Sequence, residues 1–239
     1  VVAHIAGALW GCCAVLQRDG ELGRLADDIG WLEQATALAE WNDARCDDCV
    51  AHAGAGIIAV AATSLGGALL QRDPTLLARL LSIVEESHQL QARENASSAL
   101  CYLTRTPSDA SRALLETDRG FERLFSVYEL ETGSRALEAA IAATVMHLVF
   151  HGGRRTREQL EAIVKMLASD ASPVLTYSSM ALWAAACDQD NRAELGELFA
   201  VDGLVHVLQS HAQLRIKEYV VAALWLISCD PRNAIRASM

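Results

Sequence analysis

Ala181-Leu182-Trp183 and Ala223-Leu224-Trp225 stand 42 residues apart, and each is followed by the same polar signature. After the first copy come Asp188 and Asn191-Arg192; after the second come Asp230 and Arg232-Asn233. A recurrence near forty residues marks stacked helical units, because each unit is one supersecondary element that only a neighbour can complete. Reading outward from this pair, residues 192–200 predict a short first helix and Asp202-Gly203 a kink. Residues 204–209 predict a second helix and 216–229 a third. A chain turning sharply between packed helices needs a residue that tolerates positive φ and brings no side chain into the contact. Gly30, Gly120 and Gly203 meet that need at separations of 90 and 83 residues, about two periods each.

The third helix can be followed through Ala8-Leu9-Trp10, Ala99-Leu100-Cys101, Thr144-Val145-Met146 and the two Trp copies, with spacings of 91, 45, 37 and 42 residues. The first gap holds one divergent copy, in the helix expected over residues 55–62. Second helices carry apolar stripes of helical period: Leu77, Leu80, Leu81 and Val84 in one, Leu160, Ile163, Val164 and Leu167 in another. Residues 169–173 are expected to end the latter. Such layers leave apolar surface on both sides, so none stands alone. About five to six layers of roughly 42 residues fill positions 1–239 as a single array. That array is expected to be a segment of a longer one.

Composition narrows the function classes. Of 239 residues 52% are hydrophobic but only 5% aromatic, and the abundant alanine suits close stacking of helices rather than one large globular core. The net charge of −10 argues against a phosphate-binding surface built on clustered Lys and Arg, so no nucleic-acid partner is expected and basic partners are favoured. The acidity is uneven, with nine Asp/Glu against three Lys/Arg in residues 1–50 and eight of each in residues 101–160. Seven cysteines without framework spacing fit a reducing, cytoplasmic setting with no disulfides. Residues 1–16 lack the basic leader of a signal peptide, and residues 49–71 are weakly apolar and broken by Gly66-Gly67, so no membrane insertion is expected.

Motifs with catalytic or metal-binding chemistry are incomplete. Cys46, Cys49 and His52 have metal-like spacing and share a helix face, yet zinc needs four ligands and no second pair lies nearby. Gly54-Ala55-Gly56-Ile57-Ile58-Ala59 fits a loose dinucleotide fingerprint without the strand and alternating helices that chemistry requires. His151-Gly152-Gly153 resembles part of an oxyanion loop, but a helix C-terminus explains it better. No enzyme activity and no cofactor are expected.

Asn191-Arg192, Leu195, Gly203, Leu204, Leu208, Ala223-Leu224-Trp225 and Asp230 together follow the armadillo-repeat pattern, so the chain resembles an armadillo-repeat protein. The resemblance implies an all-α, right-handed α-solenoid of stacked three-helix repeats whose third helices line a concave groove for a partner protein or peptide. Carried over residue by residue, that groove would contain Trp10, Tyr102, His147, Trp183 and Trp225, with Met146, Met180 and Arg135 beside them. It implies a non-catalytic interaction scaffold, or alternatively a docking or spacer module of a larger cytoskeletal or ciliary assembly that uses convex face and edges. Nuclear-import adaptors of the importin-α type present an Asn four residues after the groove Trp. Here those positions are Ala14, Cys187 and Cys229, so the resemblance does not extend to reading nuclear localisation signals. An acidic chain is also a poor match to the β-catenin type, which reads acidic ligands through a basic groove.

Overall fold

The computed structural model describes residues 15, 30–39, 55–59, 62, 67–71, 73–116, 119–130, 133–210 and 213–237. Among them every regular element is helical and there is no strand. The chain divides into two compact units, Val1–Thr144 and Val145–Met239.

In the first unit, α1 (Gly30–Ala39) and helical residues 55–59 and 67–71 precede α2 (Leu76–Glu86) and α3 (Leu90–Thr104). The Asp73 carboxylate opens α2 by accepting from the Thr75 backbone N–H at 2.9 Å and from its hydroxyl at 2.6 Å. The predicted stripe Leu77, Leu80, Leu81 and Val84 is wholly buried, and α3 runs back against it. Next come α4 (Asp109–Glu116), α5 (Gly120–Glu129) and the start of α6 (Arg135–Phe150). Arg123 of α5 donates to Glu85 at 2.9 Å and Ser82 at 3.3 Å on α2, and Ser134 donates to Glu94 of α3 at 2.5 Å. Side chains about one period apart therefore tie successive layers together.

In the second unit α6 ends where Gly152 (φ 87°) and Gly153 (φ 93°) unwind the chain, so His151-Gly152-Gly153 is a helix terminus. The helix α7 (Arg157–Lys165) opens with a reciprocal cap between Thr156 and Gln159 and closes in a 3-10 turn, Met166–Ala168. Then follow α8 (Ser172–Ala186), α9 (Gln189–Glu197), α10 (Ala200–Ser210), α11 (Leu214–Ile227) and α12 (Pro231–Ala237). The third helices α8 and α11 pack along each other, and α10 packs on α11 and the 3-10 turn.

Local readings of the sequence need correction at three points. The first helix of the clearest repeat begins at Gln189, because Asp188 caps it by accepting from the Asp190 N–H at 2.9 Å. Asp202 and Gly203 lie inside α10; the turn falls at Phe199, whose φ is 60°. Likewise Arg119, not Gly120, carries the left-handed backbone, at φ 50°. The glycines serve close approach instead. A Cβ on Gly120 would lie 2.7 Å from the Leu114 carbonyl oxygen, and one on Gly203 would lie 2.9 Å from a Leu167 methyl. Residues 169–173 end the preceding helix as expected, with Ser169 closing the 3-10 turn in extended backbone, and Pro173 then sits in the first turn of α8, where its missing N–H is no loss. Between α6 and α8 the period shortens to 37 residues, and Arg154-Arg155 replace a first helix.

Candidate functional site

An aromatic row crosses three successive third helices of the second unit. Trp183 of α8 meets Phe150, at the end of α6, edge to face with centroids 5.9 Å apart and planes at 76°. On its other side it meets Tyr219 of α11 at 6.3 Å and 32°. Phe150 is exposed while Trp183 and Tyr219 are half-buried, so the rings hold each other in place and still present faces to solvent. Aromatic pairs at this spacing stabilise by about 0.5–1.5 kcal/mol beyond area burial.

The row is positioned by a polar hinge that the repeat signature encodes. Asn191 is buried; its amide donates to the Ala185 carbonyl at 2.9 Å, satisfying the end of α8, and its oxygen accepts the Arg155 backbone N–H at 3.0 Å. Arg192 donates to the carbonyls of Ala186 at 2.6 Å and Cys187 at 3.3 Å, completing the cap. One period later Asn233 donates to Ile227, the end of α11, at 3.1 Å and to the Arg192 carbonyl at 2.7 Å. Its side chain fills the place of the absent side chain at Gly196, where a Cβ would lie 1.6 Å from its amide oxygen.

The residues proposed from sequence fall into distinct environments. Trp225 is 69% exposed. Met180 lies half-buried on α8, His147 half-buried on α6, and Met146 is buried and offers little surface. In the first unit Arg135 is exposed at the start of α6, and Tyr102 is exposed on the wall of a cavity of about 580 Å³ shared with Pro74, Arg105, Pro107 and Asp109. Trp10 and the trio Cys46, Cys49 and His52 lie outside the described residues. Among the described residues no group of His, Cys, Asp or Glu is arranged to hold a metal, and no helix is long and apolar enough to cross a membrane. Phe150 and Tyr219 were missed by sequence reading. The signal for Tyr219 was present, since it repeats Tyr177 at the same 42-residue period.

Cys187 and Cys229, one turn beyond each Trp, are exposed thiols that donate to the carbonyls of Trp183 at 3.6 Å and Trp225 at 3.4 Å. Burial pushes the Cys101 thiol up to about 11 against the opposing pull of Arg105, so it stays protonated at neutral pH. At the second hinge, hydrogen bonds from the side chain and backbone of Arg232 hold the Asp230 carboxyl below its usual range.

No protein-family model matches this chain, and no curated protein does. Solved structures do. Computationally designed armadillo repeat proteins for modular peptide recognition superpose with a TM-score of 0.76 at 19% identity, covering 93% of this chain and 92% of theirs. A second designed armadillo repeat protein gives 0.73 at 17% identity, over 95% of this chain and all of that one, 100%. Another, solved in complex with the peptide (KR)4, gives 0.66 at 17% identity over 95% and 90%. At these identities the likeness is one of fold, and the chain has the armadillo-repeat fold.

Proposed function

We propose that this protein is a non-catalytic interaction scaffold that binds an extended, basic segment of a partner protein across its third helices, working in the cytoplasm within a larger assembly. The observation that carries the reading is the partly exposed row Phe150–Trp183–Tyr219, continuous over three helices. Flat rings offer large contact area at low entropic cost, and every side chain with an aliphatic stem or a cation can lie on them. The net charge of −10 and the exposed Glu218 beside Tyr219 favour a positively charged ligand. The similarity to designed proteins made for peptide recognition, one of them holding (KR)4, supports the same use of this fold.

Isothermal titration with (KR)4 tests it. Saturable binding is expected, weakening with salt, and Trp183→Ala should reduce affinity by about 30-fold, the equivalent of losing an anchor of about 2 kcal/mol, with helical circular dichroism unchanged. Equal affinity of the folded variant, or no saturation up to about 1 mM peptide, would overturn the reading.

A further inference from the structure

We infer that the cavity at the C-terminal end of α3 is a binding site for an organic monocarboxylate with an apolar body, held by Arg105 and Tyr102. At about 580 Å³ it falls within the range of small-molecule sites, roughly 300–1,000 Å³, and its described lining lies wholly in the first unit. Its origin shows when two layers are set side by side. In the second unit the equivalent corner is closed by buried Asn191, which donates to Ala185 and accepts the Arg155 N–H. Counted from the caps Ser108 and Asp188, Ser111 takes the place of Asn191. Counted from the caps Thr75 and Thr156, Pro74 takes the place of Arg155, and Leu103, one residue before the end of α3, matches Ala185 in α8. Proline has no N–H to give, and the shorter Ser111 side chain pairs its hydroxyl with that of Ser108 at 2.8 Å. The Asn191 clamp thus has no counterpart at this corner among the described residues, and Pro74 and Leu103 line the cavity instead.

The ligand class follows from the wall. Leu70, Leu103, Pro74 and Pro107 supply apolar surface, and Tyr102, 43% exposed, adds a flat ring. Arg105 follows Tyr102 by three residues at the end of α3, a spacing that puts both side chains on one face. It is the only cation among the described residues that line the cavity. Asp109 on the same wall is held by Arg112 at 3.2 Å, whereas Arg105 forms no ion pair among the described residues. The two helix ends that meet there, the C-terminus of α3 and the N-terminus of α4, carry opposite partial charges, so the guanidinium supplies the net field. One guanidinium matches one carboxylate through two parallel N–H···O bonds, while a phosphate dianion would keep a charge without a partner. The same chemistry is carried by a free aryl or alkyl acid and by the C-terminus of a peptide whose last side chain is apolar.

Ligand-observed NMR titrations with 4-phenylbutyrate, its amide, acetyl-Gly-Gly-Phe with a free C-terminus and inorganic phosphate test this. Saturation with a Kd of about 1–3 mM is expected for the acid, as a ligand of about a dozen non-hydrogen atoms at ordinary efficiency gives. The amide should bind about tenfold more weakly, and Arg105→Gln, a change at an exposed side chain checked by helical circular dichroism, should weaken the acid about tenfold and leave the amide unchanged. Saturation by the peptide at the affinity of the small acid would assign the site to a chain end, and saturation by the small acid alone to a free acid. Equal binding of acid and amide, an acid affinity untouched by Arg105→Gln, tighter binding of phosphate, or no saturation up to about 30 mM would each overturn the inference. No residue of the aromatic row lines the cavity, so the outcome is separate from (KR)4 binding there.

Discussion

Two stretches of this chain, 172–197 and 214–237, use the same letters at the same spacing and place them in different surroundings. Trp183 is wedged between Phe150 and Tyr219, whereas Trp225 is largely bare. Ser179 is sealed and its equivalent Val221 is open. The hinge, in contrast, is built alike in both, since Asp188 and Asp230 cap and Asn191 and Asn233 reach back to a helix end. Local chemistry is thus copied with the sequence, while burial depends on what the neighbouring layer brings.

The hinges offer the sharpest way to separate the two stretches. Asn191→Ala takes the acceptor from the buried Arg155 N–H and one of two donors from the Ala185 carbonyl, which keeps the Asp188 N–H at 3.2 Å, and should cost about 3 kcal/mol in urea unfolding. Asn233→Ala removes a donor only from carbonyls, Ile227 keeping the Asp230 N–H at 3.2 Å, and carbonyls tolerate a missing partner better than N–H groups do, so it should cost about 2 kcal/mol. Equal losses would mean that the Arg155 contact is energetically idle. A smaller contrast lies in the glycines. Gly196→Ala must evict the Asn233 amide and should cost about 1–2 kcal/mol, while Gly203→Ala meets only the mobile end of Leu167 and, with the helix propensity of alanine in its favour, should stay within about 1 kcal/mol.

The smallest effect is acid dependence at the second hinge. Because Arg232 lowers the Asp230 pKa in the folded protein, the stabilisation is complete above the unfolded value near 3.9 and is lost as pH falls through the folded one. Asp230→Asn should therefore melt below the parent at neutral pH, with the gap closing below about pH 4. A gap that persists in acid would show that the cap, rather than the charge, is what Asp230 contributes.

The repeat was legible because side chains that join layers must recur with the layer. Ala-Leu-Trp, the Asp–Asn hinge and the Leu77–Val84 stripe are all of this kind. The turns were not. Phe199 and Arg119 take left-handed backbone that sequence assigns by default to the nearby Gly203 and Gly120, because the glycine is conspicuous and a strained bulky residue is not. The aromatic row was half legible. Trp183 announced itself by repetition, but Phe150 stands one turn beyond Met146, where the two Trp repeats have Cys187 and Cys229, and its meeting with Trp183 depends on three-dimensional register. Met146 shares a sequence position with Trp183 and is buried, a difference that follows from side-chain size and local packing rather than from the period.

The hydrogen bonds that join layers among the described residues span only 36 to 41 positions, from Arg155–Asn191 to Asn233–Arg192. None of these bonds skips over an adjoining layer, so the layer-joining contacts they make are short in sequence for a chain of this length. Folding can nucleate at whichever neighbouring pair forms first and spread outward, and denaturation can fray layer by layer. A calorimetric transition broader than a two-state domain of this mass would show would be the visible trace of that limited cooperativity.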